Sequence, residues 1–211
     1  MTGITTALAI ADWRTRLFGL YADVRSCSDA ESPETAHRLW QDGRNRLFRE
    51  HPASPLEAAA QGRFTSLRVA HYQPAYRFEA AISDEGSGRR MDVPTGTDGV
   101  VPFEQLGTLS LPGLGHLALW RLTSYGGGFF LPLRDATSGA EGGSYGGGRY
   151  LLDTVKGAHL GEGRLPGSLV LDLNFSYNPS CAYDEAWACP LPGSDNRLDA
   201  ELAVGELYAQ Y

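Results

Sequence analysis

The sequence predicts a mainly β, α+β fold: an antiparallel β-barrel or two-sheet sandwich preceded by two α-helices. Three observations carry that expectation. Apolar residues recur at helical spacing only within the first fifty residues. From about Phe64 onward, short apolar or alternating runs are bounded by glycine clusters, as in all-β units. No helix-period segment separates those runs, which excludes alternating strands and helices around a parallel sheet.

The elements can be justified in chain order. Trp13, Leu17, Leu20, Tyr21 and Val24 share one face of a first helix. The polar stretch SCSDAESPE interrupts it. Ser32 is the expected N-cap of a second helix, with Pro33 at the first helical position, where its missing N–H costs nothing. Ala36, Leu39, Trp40, Leu47 and Phe48 continue that helix, and His51 before Pro52 closes it. Gly43 in its interior costs about 1 kcal/mol relative to alanine. YRFEAAI, at residues 76–82, then alternates apolar and polar residues as a strand does. GTLSL and HLALWRL flank Pro112-Gly113-Leu114-Gly115 and read as a hairpin. FFLPLRD, RYLLDTV and SLVLDLNFSY follow, each bounded by glycines. Residues 1–60 are thus expected to form a helical segment packed on a β-rich domain of residues 61–211, together one compact unit.

The 211 residues suffice for one sizeable core, and 42% hydrophobic with 20% charged residues suits a globular chain. A formal charge of −7, with Lys156 the only lysine, excludes the basic stripe that a nucleic-acid partner requires. The N-terminus has no basic region ahead of its apolar residues, and no run approaches the roughly 18 apolar residues of a membrane span. The expectation is a cytoplasmic protein with no membrane partner and reduced thiols, which three cysteines, an odd number, fit well. Oligomeric state is not legible.

Two stretches concentrate chemistry. The first, DATSGAEGGSYGGGRYLL at residues 135–152, is neither a P-loop nor a dinucleotide fingerprint. No lysine follows its glycines, and a strand rather than a helix comes next. It reads as a hairpin whose glycines take positive φ, or as bare backbone open to a ligand and ringed by Asp135, Thr137, Tyr145 and Arg149. Arg149 offers a fork of donors for a carboxylate or phosphate. It would equally pair with Asp135 or Asp153 across the hairpin. The second stretch, residues 171–198, carries Asn174, Asn178, Cys181, Cys189 and Asn196 through a long loop without periodicity, which must be functional or tied down. Cys181 and Cys189 have no histidine between them. Zinc would need His116, His159 or Asp184 from a distance, and a disulfide or two buried thiols are the alternatives. No metal and no cofactor is expected.

Ser144, in Gly142-Gly143-Ser144-Tyr145-Gly146, lacks the strand-to-helix context of a nucleophile elbow, and the five histidines are scattered, which argues against a triad. Asp153 and Asp172, in separate strands, would supply an acid and a base if they faced one another. Otherwise they accept turn N–H groups or pair with Arg134 and Arg149.

RLFREHPASPL, AYRFEAAI, FFLPLRDATSG, SYGGGRYL, LDLNFSYNPSCAYDEAWACPLP and AVGE occur in that order over about three quarters of the chain. In these segments the sequence resembles a bacterial family of uncharacterised proteins, domain of unknown function 1684. Two departures stand out. Gln73 occupies a position where the family usually has aspartate, and Leu173-Asn174 replaces a common Phe-Asn pair. The resemblance implies a β-rich domain of about this length and no agreed activity. It also implies that Asp135, Thr137, Gly139, Tyr145, Gly146, Gly148, Arg149, Asn174, Asn178, Cys181, Cys189, Asn196 and Glu206 belong to a shared pattern.

The functional expectation is a small-molecule site for an anionic ligand, with cofactor-independent acid–base chemistry as its catalytic form. Asp135, Tyr145 and Asp172 are the catalytic candidates. Thr137, Arg149, Asn174 and Asn178 are the ligand-binding candidates, and Cys181, Cys189 and Asn196 are structural, metal or disulfide candidates. The alternative is a non-catalytic binding or scaffold module whose Gly, Asn and Cys loops serve structure alone.

Overall fold

A computed structural model of the protein describes residues 3–95, 99–187 and 189–211. The first two positions of the expected helical segment and Ala188 in the 171–198 loop lie outside the described residues.

Helix α1 (Gly3–Ala30) and helix α2 (Pro33–Glu50) form an antiparallel pair. The Ser32 hydroxyl accepts the Thr35 N–H at 3.1 Å, Pro33 opens the helix, and the His51 N–H closes it on the Leu47 carbonyl. The expected cap and stop are both present, and the helix continues unbroken through Gly43. Two side-chain bonds fix the pairing. Trp40 Nε1 donates to the Tyr21 hydroxyl at 3.1 Å, and His51 Nε2 lies 2.9 Å from the Asp12 carboxylate. α1 is longer than its buried face. Leu17, Tyr21 and Val24 are buried, whereas Ile4 and Leu8 are exposed. A short helix α3 (Ala58–Gln61), without a counterpart in the sequence pattern, follows.

The strands are β1 (Arg77–Ser83), β2 (Arg90–Thr95), β3 (Gly99–Leu111), β4 (Gly115–Leu122), β5 (Phe129–Leu133), β6 (Arg149–Asp153) and β7 (Ser168–Asp172). They pair antiparallel in the order β6-β5-β4-β3-β1-β7, with β2 on the other part of β3. The sheet curls into a half-barrel, the open form of the expected barrel. The glycine-rich stretch joins β5 to β6 as a hairpin, with Leu133 opposite Arg149.

Two predicted strands are shorter than their apolar runs. RYLLDTV leaves the sheet after Asp153 and SLVLDLNFSY after Asp172, each into a 3-10 turn. At the second, the Asp172 side chain accepts the Asn174 N–H at 3.1 Å, so a local bond competes with the ladder and ends the strand.

Both faces of the sheet are covered. Leu117 and Leu119 of β4 join Leu109, Leu131, Leu133 and Leu171 under Leu198, Leu202 and Val204 of the C-terminal segment. Ala118 and Trp120 point the other way, into a cluster with Phe103, Phe130 and Tyr150 that Tyr21, Val24 and Trp40 of the helices complete. Double-sided burial explains why FFLPL and RYLLD lack the alternation of half-exposed strands. No described helix is long and apolar enough to cross a membrane.

At Gly107, just after a register shift in the β3–β4 pairing, a Cβ would lie 1.8 Å from the Ser83 carbonyl oxygen. Gly107→Ala therefore forces β1 away from β3 and is expected to cost about 1–3 kcal/mol. The urea unfolding midpoint measures it.

Candidate functional site

Most of the residues that the sequence singles out fall into buried polar groupings around Asp135, Asp172, Asn196 and Glu206. The first lies in the glycine hairpin. Asp135, buried, accepts the Thr137 N–H at 2.8 Å, the Thr137 hydroxyl at 2.5 Å, the Ser144 hydroxyl at 2.7 Å and Arg149 Nη2 at 2.8 Å. Arg149 is only 1% exposed. Its Nη1 reaches the Val204 and Glu206 (3.3 Å) carbonyls, and Nη2 also reaches the Leu202 carbonyl at 3.4 Å. Burial alone would raise the Asp135 carboxyl, but Arg149 and the Thr137 and Ser144 hydroxyls outweigh it and hold it below the ordinary carboxylate value. Arg149 thus engages Asp135 and the C-terminal backbone, leaving only Nε without a partner. The cross-hairpin pairing is the arrangement the structure adopts, and it leaves the guanidinium enclosed rather than open to solvent.

The second grouping ends β7. Asp172 accepts the Tyr72 hydroxyl at 3.0 Å, Arg77 at 3.2 Å and the Asn174 amide at 2.7 Å. Asn174 also clips the backbone of Gln73, accepting its N–H at 2.8 Å and donating to its carbonyl at 2.9 Å. Asp153 has other partners, Lys156 at 2.9 Å and the Tyr177 hydroxyl at 3.4 Å. Asp153 and Asp172 thus take separate partners, each pairing with a cation and a tyrosine hydroxyl, as in the alternative the sequence offered of ion pairs rather than a facing acid and base. Tyr145 stands apart from both, its hydroxyl on the Cys181 carbonyl at 3.3 Å. The three catalytic candidates therefore fall in three separate places. Asn196 is a clamp between strands. Its amide donates to the Ala118 and Pro132 carbonyls, both at 2.9 Å, and its oxygen accepts Trp120 Nε1 at 3.0 Å.

The remaining grouping lies where the helix pair meets the half-barrel. Glu206, fully buried, takes Arg44 Nη2 at 2.7 Å, the Asn178 N–H at 3.2 Å, the Asn178 amide at 3.3 Å and the Tyr183 hydroxyl. The Arg44 guanidinium sits over the rings of Tyr177 (4.9 Å), Trp40 and Phe48 (each 5.2 Å). Beside it opens a cavity of about 40 Å³ lined by Tyr21, Arg44, Tyr150, Lys156, Tyr177, Asn178 and Tyr183 among others. Burial pushes the Tyr21 phenol up to about 12 and raises those of Tyr150, Tyr177 and Tyr183 well above their ordinary value. The walls therefore present neutral hydroxyls at neutral pH. Two residues of the lining, Arg44 and Asn178, each carry a buried polar atom, Nε and Oδ1, that has no hydrogen-bond partner.

The chain matches the family model described as protein of unknown function (DUF1684) over residues 62–207. The chain belongs to the DUF1684 family. It is also similar to an uncharacterized protein from gene locus rrnAC0354 of Haloarcula marismortui, solved by solution NMR. That similarity is 30% identity over 85% of this chain and 96% of that chain, with a TM-score of 0.57. No curated protein matches. In this DUF1684 chain the family match includes Asn178, Tyr183 and Glu206, whereas Arg44 comes from a helix that precedes it.

Of the sequence candidates only Asn178 lines the cavity; Arg44, Lys156 and the tyrosines were not singled out. One signal was present. Arg44 continues the apolar row of Ala36 and Trp40 at intervals of one helical turn, and a charge on a buried face demands a partner. Among the described residues no cluster of three or more His, Cys, Asp or Glu side chains is arranged to hold a metal.

Arg149→Ala strands the Asp135 charge and three carbonyls, and is expected to destabilise the fold by about 3–5 kcal/mol in urea titration. Because the folded Asp135 pKa is depressed, its contribution is present above the unfolded value of about 3.9 and is lost as pH falls through the folded value. The gap between wild type and variant is accordingly expected to be widest above about pH 4 and to narrow below it.

Proposed function

We propose that the protein binds a compact oxyanion carrying a hydroxyl group in the cavity between the helix pair and the half-barrel. The observation that carries this reading is the pair of orphaned atoms, a donor at Arg44 Nε and an acceptor at Asn178 Oδ1, on two buried residues of one cavity lining. Buried polar atoms without partners are rare because each costs about 1–3 kcal/mol. A ligand oxygen would satisfy the first and a ligand hydroxyl the second. Lys156, half-exposed beside Asp153, adds a second cation to the lining. The volume exceeds that of a water site yet lies far below the roughly 300 Å³ of ordinary ligand clefts, which limits the ligand to a few heavy atoms. Binding is favoured over acid–base catalysis, since the phenols are raised and both nearby carboxylates, Asp153 and Glu206, are ion-paired.

A framework role suits the hairpin and strand-end residues instead. Asp135, Thr137, Arg149, Asn174 and Asn196 have their polar groups engaged within the protein, apart from Arg149 Nε.

Calorimetry and thermal shift with glycolate, lactate, inorganic phosphate and acetate test the site. Hydroxy acids or hydrogen phosphate are expected to raise the melting temperature more than acetate, which lacks a donor hydroxyl. Lys156→Gln is expected to weaken binding about tenfold, or about 1.4 kcal/mol. Arg44→Lys, which keeps the charge for Glu206 but removes Nε, should weaken it as well. No shift with any of the four compounds, or shifts indifferent to both substitutions, would refute the reading.

A further inference from the structure

Cys181 and Cys189 are free, half-buried thiols that hydrogen bond to one another across the seven residues between them. Each is held by a tyrosine from the glycine hairpin or the strand after it. The Tyr145 hydroxyl lies 3.3 Å from the Cys181 carbonyl and 3.9 Å from its sulfur. The Tyr150 hydroxyl donates to the Pro190 carbonyl at 2.6 Å and also reaches the Cys189 sulfur. The Lys156 ammonium stands over the Tyr150 ring at 5.7 Å, which brings a cation to the Cys189 side of the pair.

We propose that Cys181 and Cys189 are a redox-active dithiol, with Cys189 the attacking thiolate, Cys181 the resolving thiol and a low-molecular-weight disulfide the oxidant. The environments differ in the required sense. The Cys181 hydrogen bond, with Lys156 assisting, holds Cys189 down at about 6 against the opposing effect of burial. The Cys189 contact, burial and the Cys189 charge push Cys181 well above the ordinary thiol value. At neutral pH the pair therefore carries one thiolate and one thiol. In the first step the Cys189 thiolate attacks one sulfur of the oxidant, breaks its S–S bond and expels one small thiolate, leaving a mixed disulfide on Cys189. That step removes the charge that kept Cys181 protonated. Cys181 then loses its proton to the departing small thiol and attacks the Cys189 sulfur, closing Cys181–Cys189 and releasing the second small thiol. Two electrons pass from the protein to the oxidant, and no further reactant is needed.

The test uses the full chain with glutathione disulfide at pH 7, read by intact mass and peptide mapping. The expected product lacks the two thiol hydrogens and contains a Cys181–Cys189 cross-link, with Cys27 unlinked. Cys181→Ser should stop at a stable glutathione adduct on Cys189, while Cys189→Ser should react about tenfold more slowly. Lys156→Gln should move the half-maximal pH of Cys189 alkylation upward from about 6. Serine is nearly isosteric with cysteine, so an unchanged melting temperature confirms that these variants fold. A wild-type chain that stays reduced, a first adduct on Cys181, or a stable Cys189 adduct that never resolves in the wild type would each overturn the proposal. None of these readouts depends on a ligand in the cavity.

Discussion

Arg149 is the point at which the glycine hairpin, strand β6 and the C-terminal segment are tied together. A guanidinium cannot shed its charge, so its burial requires an anion and a set of acceptors on every side. Asp135 supplies the anion from the far end of the hairpin, and the Leu202, Val204 and Glu206 carbonyls supply acceptors from the last strand-like stretch. The hairpin must therefore close with Leu133 opposite Arg149, and the C-terminal segment must run across the sheet face where Leu202 and Val204 meet the leucine core. Gly148, at φ +90 with a Cβ position only 2.7 Å from the Leu133 carbonyl, admits no side chain at the turn into that arginine. The same contact with the Glu206 carbonyl fixes the backbone of the residue whose carboxylate meets Arg44.

The two buried arginines are chemically alike and differ in what surrounds them. Arg149 engages a carboxylate and three carbonyls and lies in the packed interior. Arg44 has a carboxylate and three aromatic rings, but its Nε and the Asn178 Oδ1 are buried without partners, and both residues line a cavity. Burial works against the Arg44 charge, and Glu206 with the surrounding tyrosines outweighs it and keeps the guanidinium ionised. The family-matched region supplies Asn178, Tyr183 and Glu206, and α2 supplies Arg44, so the cavity exists only where the helices pack on the half-barrel.

Much of the local structure was legible in the sequence. Ser32 and Pro33 mark the start of α2 and His51-Pro52 its end, because capping and proline geometry depend on a few adjacent residues. The Pro112–Gly115 turn and the glycine hairpin were readable for the same reason. The strand ends at Asp153 and Asp172 were less so. There apolar runs continue past the sheet because the following 3-10 turns are themselves buried, and hydrophobicity alone cannot mark where a ladder stops.

By itself the sequence determined the two helices, the antiparallel β-rich body, the hairpin at residues 135–152 and the residues capable of chemistry. Tertiary structure alone decided which of those residues meet. It opened the sheet into a half-barrel with Asp153 and Asp172 far apart in strand order, turned Arg149 inward, and joined Arg44 to Glu206 across 162 residues of chain. The physical reason is range. Backbone preferences act over a few residues and leave a periodic trace, whereas the pairing of buried charges is set by which surfaces exclude water together, and no spacing in the sequence records it.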